Sequence, residues 1–439
     1  MWDVVHVQDT SDIQVAMPYN RRVIDDELDE LLAGLPAVAI EGPKAVGKTE
    51  TAMRRARTIR RLDNPAEAAL ARAEPARTVS GNPPVLLDEW QRVPELWDAV
   101  RRSVDEDASA GRFLLTGSAA PDAPETHSGA GRIVRLRLRP MSLAERRLCP
   151  PTVSLRALLA GGSAAVEGET DLGLEAYARE IVASGFPAIR SLSGRARRAQ
   201  LDGYVARVLD RDYEEAGQSL RKPETLRRWM TAYAAASSTT ATLESIRDAA
   251  TPGEADKPAR STVIQYREVL HRLWLLDPVP AWAPTRNHFS RLARPEKHQL
   301  ADPAFAARLL GVGLETLLEG GEGAARIPRD GTLLGHLFES LVTLSVRVYA
   351  QAAEARVGHL RTKGGRQEVD LIVERPDGRV VALEVKLAGS VSGDDVRHLL
   401  WLRERMGDDL LDAAVITTGR AAYRRSDGIG VIPAALLGP

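Results

Sequence analysis

The stretch "PAVAIEGPKAVGKTETAMRRAR" sets a glycine-bracketed loop, Gly42 to Thr49 (G-P-K-A-V-G-K-T), between an apolar run and a charged one. Ala37 to Ile40 has the character of a buried parallel strand. From Lys48 onward charges alternate with Ala and Met without Gly or Pro, as on a helix. In a strand–loop–helix of this kind, backbone N–H groups surround an anion at the helix N-terminus, where the dipole is positive. The loop residues Gly42, Pro43, Lys44, Ala45, Val46, Gly47, Lys48, Thr49 and Glu50 then line a triphosphate. Lys48 is set to reach the β- and γ-phosphates and the Thr49 hydroxyl to bind Mg²⁺. A chance glycine-rich turn would not bring the strand and the helix with it. The expected ligands are ATP and Mg²⁺.

Later segments extend the pattern. "PPVLLDEWQ" is an apolar strand ending in Asp88, expected to hold Mg²⁺ through water, and Glu89, expected to orient and activate the attacking water. "GRFLLTGSA" is a strand whose tip carries Thr116 and Ser118, polar groups able to sense the γ-phosphate. "GRIVRLRLRPMSLAER" is a fifth strand followed by a capping-box-like Ser142…Glu145 helix start. Strands alternating with helices imply a parallel sheet covered on both faces. Arg132, just before the fifth strand, is either an arginine finger given to a neighbouring subunit or a solvated strand-edge arginine. The first reading requires a homo-oligomer or a partner protein for hydrolysis.

A chain of 439 residues is too long for one ordinary domain, and its hydrophobic fraction of 44% supplies real cores. Its 59 Lys and Arg against 60 Asp and Glu leave a net charge of −1, so any basic surface for nucleic acid must be local. One cysteine, Cys149, excludes an intramolecular disulfide and a thiolate zinc cluster. "MWDVVHVQDTSD" is acidic and lacks a signal-peptide core, and no apolar run is long enough to span a bilayer. A cytoplasmic protein without membrane contact is expected.

Residues 151–172 are rich in Pro, Gly, Ser and Ala and read as a linker or mobile lid. Residues 223–285 offer three helices, "PETLRRWMTAYAAAS", "TLESIRDAA" and "ARSTVIQYREVLHRLWLL", the last with Ser261 as N-cap. "LWLLDPVPAW" and "EKHQLADP" then make two strands of a wing. This order suggests a winged helix–turn–helix. Val263, Leu270 and Leu273 would face its core, and Thr262, Gln265 and Arg267 the solvent side of a recognition helix. Glu268 and the sparse positive charge leave a weak electrostatic footprint, so the same module serves equally for protein packing.

The C-terminal part holds a long amphipathic helix containing Glu339, then "GGRQEVDLIVERPDGRVVALEVKLAG". Val369, Leu371 and Val373 are expected on one face of the first strand, with Asp370 and Ile372 opposite. Pro376-Asp377-Gly378 suits a three-residue turn with Gly378 left-handed, pairing Arg375 with Arg379. Counting outward, Asp370 lies opposite Glu384, with Lys386 on the same face. A two-residue loop would separate the acids. Converging carboxylates call for a cation, and oxygen ligands favour Mg²⁺ or Mn²⁺ held by Asp370, Glu384 and Glu339. Lys386 would stabilise developing charge. The bland reading is a polar sheet face.

On GPKAVGKT, LLDEWQ and LLTGS, residues 18–150 resemble the AAA-type P-loop ATPases. On Glu339, Asp370 and Glu384-Val385-Lys386, residues 331–420 resemble the PD-(D/E)XK restriction-endonuclease-like superfamily. Together with the winged helix, the chain resembles prokaryotic ATPases that join an AAA domain to a C-terminal domain of unknown function. The expected organisation is an α/β multidomain chain: a P-loop ATPase domain at 1–150, the linker or lid at 151–172, a helical winged-helix domain at 173–325 and a nuclease-like domain at 326–439. The resemblance implies ATP binding and hydrolysis, with metal-dependent handling of DNA under ATP control or, alternatively, an ATP-switched binding protein with a silent nuclease-like domain.

Overall fold

The computed structural model describes residues 19–118, 131–162, 164–220, 222–251, 257–284, 294–319 and 332–439. Five parallel strands form the first sheet: β1 (Ala37–Glu41), β2 (Thr58–Arg61), β3 (Val85–Asp88), β4 (Phe113–Gly117) and β5 (Ile133–Arg137), in the order β2-β3-β4-β1-β5. All five residues of β1 are buried, as a central strand covered on both faces requires. One face packs Ala37, Ala39, Leu87 and Leu115 against Trp90 and Trp97. The other packs Val38, Ile40, Leu86 and Leu114 into a core continuous with the rest of the chain. Ser142 and Glu145 do form reciprocal hydrogen bonds, on a short 3-10 turn at Ala144–Arg146.

The middle of the chain is helical. Helices Pro223–Ala235, Leu243–Ala249 and Arg260–Arg272 are followed by two segments joined by antiparallel bridges, Leu276 to Leu300 and Val279 to Lys297. The third helix starts one residue before the expected cap: Ala259 precedes it, and Ser261 makes no capping bond. Val263, Leu270 and Leu273 are buried as expected, with Tyr266 and Val269. Of the residues expected on the solvent side, Gln265 donates to Gln218 and Arg267 pairs with Glu296 on the bridged segment.

A second, mixed sheet has eight strands, in the order β7 (Gly168–Glu169), β13 (Ala421–Arg424), β14 (Gly430–Pro433), β12 (Leu410–Thr417), β11 (Val380–Lys386), β10 (Glu368–Glu374), β9 (Arg356–Arg361), β8 (Ala281–Trp282). Its centre is β9, β10, β11 and β12, between helices Thr332–Ala352 and Gly393–Met406. β13 and β14 continue it. Its edges come from upstream: β7 pairs with β13, and β8 pairs with β9. The segment 151–172, expected as a linker or mobile lid, carries packed regular structure. Within it β6 (Val153–Ser154) pairs with β15 (Leu437–Gly438) and the helix Leu155–Ala160 buries three leucines, so apolar residues among the Gly and Ala anchor the segment to the C-terminal layer.

The 376–378 turn has the expected form. Arg375 N–H donates to Arg379 O at 2.9 Å, Gly378 N–H to Arg375 O at 3.0 Å, and Gly378 has φ 87°. Leu371 pairs with Leu383, which sets Asp370 opposite Glu384. One expectation failed locally. The β9–β10 register shifts between Val369 and Ile372, and Val369 packs with Ile372 rather than with Leu371 and Val373. A bulge adds one residue and re-aims the side chains beside it, here Asp370.

Candidate functional site

Two groups of polar side chains stand out, one at each sheet. In the first, β1 ends at Glu41 and the chain turns through Gly42 (φ 155°), Ala45 (φ 64°) and Gly47 (φ 105°) into the helix Lys48–Met53. A Cβ on Gly42 would lie 2.2 Å from the Leu138 carbonyl oxygen, so the loop can lie this close to β5 only without a side chain. Gly42→Ala is expected to weaken nucleotide binding at least about tenfold, read by titration with a fluorescent nucleotide. Arg22 braces the loop from behind, donating to Val46 O at 3.1 Å and to Glu145 Oε1 at 2.9 Å.

Lys48 is buried, and its Nζ donates to Gly42 O at 2.9 Å and Pro43 O at 2.8 Å. Burial pulls its pKa down to about 8, against the pull of Glu89 and Asp88. Thr49 Oγ1 donates to Asp88 Oδ1 at 2.7 Å, and Thr116 Oγ1 donates to the same oxygen at 2.5 Å. Parallel pairing of β3 with β4 puts Asp88 beside Thr116. Glu89, left-handed at φ 57°, accepts from Ser118 Oγ at 3.1 Å and from Gln91 Nε2. These residues fit a nucleotide and Mg²⁺: a cationic Nζ held only by loop carbonyls, and a Thr–Asp pair at the end of adjacent elements. Glu50 is exposed on the helix.

A cavity of about 690 Å³ reaches this group at Glu89 and Ser118 and is lined also by Lys44 and Arg92 and, from the helix Gly194–Arg207, by Tyr204 and Arg207. Lys44 is not free for phosphate. Its Nζ donates to Asp212 Oδ1 at 2.6 Å and Glu215 Oε2 at 3.0 Å, and its carbonyl accepts from Tyr204 Oη at 3.2 Å. Sequence reading missed this contact, because those acids lie in a charge run that looks like a solvated helix face. Arg132 precedes Ile133, which pairs with Ala37 at the far end of β1 from the loop, and it pairs with Asp105 at 2.8 Å. It lies outside its own chain's cavity, so a finger role applies only toward a neighbouring subunit.

At the second sheet, Glu339 and Asp370 meet at one ammonium group, Lys297, and Glu384 meets another, Lys386. Lys297, 1% exposed, donates from Nζ to Glu339 Oε1 at 2.7 Å and Asp370 Oδ1 at 3.0 Å. Asp370 Oδ2 accepts the Val385 N–H at 2.9 Å, and Lys386 pairs with Glu384 Oε1 at 2.9 Å. Glu384 Oε2 is buried without a hydrogen-bond partner. Burial and the neighbouring Asp370 push Glu384 and Glu339 up to about 8. Burial also opposes the charge on Asp370, yet Lys297 and the Val385 N–H hold its carboxyl below the usual range. Lys297 itself is desolvated, but Asp370 and Glu339 raise its pKa. The expected metal set of Glu339, Asp370 and Glu384 is corrected accordingly. Among the described residues no group of three or more His, Cys, Asp or Glu is arranged for a metal ion. Asp370 spends both carboxylate oxygens on Lys297 and the Val385 N–H, and Lys297 and Lys386 already stand against Glu339 and Glu384, so no metal fits these residues as they stand.

Three family models match the chain. Residues 35–146 match an AAA domain, 174–316 a domain of unknown function (DUF8612) and 334–437 another (DUF4143). Two uncharacterized proteins, from Mycobacterium bovis and Mycobacterium tuberculosis, are each 25% identical over 442 residues, covering 95% of this chain and 84% of the relative. A Walker-type ATPase of Pyrococcus abyssi aligns with 65% of this chain and 94% of its own at 16% identity and a TM-score of 0.38. The family match at 35–146, with the loop geometry above, makes those residues an AAA-type P-loop domain. Among the described residues no helix is long and apolar enough to cross a membrane.

Proposed function

We propose that the protein binds and hydrolyses ATP at the phosphate loop and uses the nucleotide state to change how the middle helices pack on the P-loop domain. The observation that carries this reading is the joint placement of Lys48, Thr49 and Asp88 at the loop and of Glu89 in an adjoining cavity that Tyr204 and Arg207 also line. Lys48 exchanges the Gly42 and Pro43 carbonyls for β- and γ-phosphate oxygens, a stronger charge-assisted contact. Thr49 and Asp88 would hold Mg²⁺, which supplies positive charge to those oxygens. Glu89 accepts the proton of the attacking water once Ser118 and Gln91 release it. Phosphate also competes with Asp212 and Glu215 for Lys44, so nucleotide entry loosens a tie to the middle segment. An arginine finger, if Arg132 supplies one, comes from a second copy.

For the C-terminal sheet we favour a nuclease-like fold that binds DNA or a partner protein without cutting it. The ammonium of Lys297 among the carboxylates supports this over Mg²⁺- or Mn²⁺-dependent cleavage. The three middle helices and their bridged segments support a winged-helix reading, with Arg267 already paired to Glu296. Incubation with ATP and Mg²⁺ is expected to release phosphate. Plasmid incubated with Mg²⁺ or Mn²⁺, with or without ATP, is expected to stay intact. Nicking that disappears in Asp370→Asn would reinstate the cleaving reading.

A further inference from the structure

We infer that Lys297 is the resident cation of the C-terminal carboxylate cluster and that the cluster is an ion-pair anchor for the bridged middle segment, not a metal centre. The inference rests on the nuclease-like reading of that fold, within which a divalent cation would be expected at this point. The geometry disagrees with that expectation. Nζ lies 2.7 Å from Glu339 Oε1, 3.0 Å from Asp370 Oδ1 and 3.9 Å from Glu368 Oε1. An ammonium has three donors and no acceptor, and two of these carboxylates take it at hydrogen-bond distance. A metal bound to the same two oxygens at about 2.1 Å would sit within a few ångströms of Nζ, cation against cation.

The ammonium is also held in place. Lys297 N–H donates to Val279 O, and Val279 N–H to Lys297 O, each at 2.9 Å. The side chain therefore projects from a fixed backbone rather than from a loose surface loop. His298 N–H donates to Thr239 O at 2.8 Å, and Ala301 N–H to Leu275 O at 2.8 Å, so the residues around it are fixed as well. One cation thus ties three separate elements together: the bridged segment, the helix Thr332–Ala352 through Glu339, and β10 through Asp370. The second lysine, Lys386, neutralises Glu384 on β11 in the same way. Two ammonium groups, Lys297 buried and Lys386 part-exposed, take over what a divalent ion would supply.

The test uses the full-length, nucleotide-free protein and Mn²⁺ as probe, read by electron paramagnetic resonance and by thermal unfolding. Wild type is expected to bind no Mn²⁺ at this site and to keep its Tm in Mn²⁺ or in chelator. Lys297→Met is expected to lose several degrees of Tm, because it leaves two buried carboxylates without their cation, and to recover most of the loss in millimolar Mn²⁺. Lys297→Met combined with Glu339→Gln leaves one buried carboxylate, Asp370, in place of two and is expected to recover part of the lost Tm, which keeps the test open if the single variant fails to fold. Mn²⁺ binding by wild type that Asp370→Asn abolishes would overturn the inference. So would Lys297→Met unfolding at the wild-type Tm. A loss in Lys297→Met that Glu339→Gln restores in part and Mn²⁺ does not would uphold the anchor and remove the nuclease-like reading.

Discussion

Lys48→Ala is expected to abolish measurable ATP binding, whereas Glu89→Gln is expected to bind ATP and to lower kcat about 10²- to 10⁴-fold. The two residues differ in when they act. Lys48 is a buried cation whose partners are two loop carbonyls, so it meets phosphate in the ground state. Glu89 acts on water, and its glutamine variant keeps an acceptor for Ser118 without a base. Proton linkage gives an independent check. Burial holds the Lys48 pKa down to about 8 in the free protein, and polyphosphate favours the charged form. ATP binding slightly above pH 8 should therefore take up a proton, seen by calorimetry as a buffer-dependent enthalpy that shrinks well below pH 8, where Lys48 is already charged. Equal loss of binding in both variants would contradict these roles.

The sequence made the nucleotide site legible because its chemistry is local. Glycines, Lys48 and Thr49 are contiguous, and Asp88 and Glu89 end an apolar strand. The hairpin was legible for the same reason: Pro376-Asp377-Gly378 fixes a register, and register fixes which side chains meet. What escaped was long-range. Lys297 lies 42 positions before Glu339 and 73 before Asp370, in a polar run that reads as surface. The one available signal was a charge count, since three buried acids beside a single lysine need another cation from somewhere. The packed structure of the 151–172 segment escaped because its Gly and Ala content hid the leucines at 155, 158 and 159, all of which are buried. The bulge at Val369 left no trace in the alternation, because every residue involved is either apolar or the acid itself. Lys44 was assigned to phosphate from its place in the loop, and its acidic partners were 168 and 171 positions away.

Asp277→Ala is expected to cost about 3–5 kcal/mol of stability, the range for breaking a buried ion network by removing one partner. Asp277 is buried where the three parts of the chain meet. Its Oδ2 accepts from Arg139 Nε at 2.8 Å; Oδ1 accepts from Arg137 at 2.9 Å and pairs with Arg347 at 3.0 Å. Arg137 belongs to β5, Arg139 follows it, and Arg347 lies on the helix Thr332–Ala352. Truncation leaves three guanidinium groups facing one another without their shared anion. Arg139 keeps Gln351, and Arg347 keeps the carbonyls of residues 277 and 278, so hydrogen bonds survive while charge balance does not. Burial by itself would raise the Asp277 carboxyl, but the three arginines hold it far below the usual range. A depressed folded pKa contributes stability that is present above the unfolded value, near 3.9, and is lost as pH falls below it. Wild type should therefore lose stability on acidification below about pH 4 more steeply than Asp277→Asn, which has no proton to gain there. Urea unfolding at neutral pH and across the acid range measures both effects. A neutral-pH loss under about 1 kcal/mol, or identical acid slopes, would mean that apolar packing rather than this carboxylate holds the three parts together.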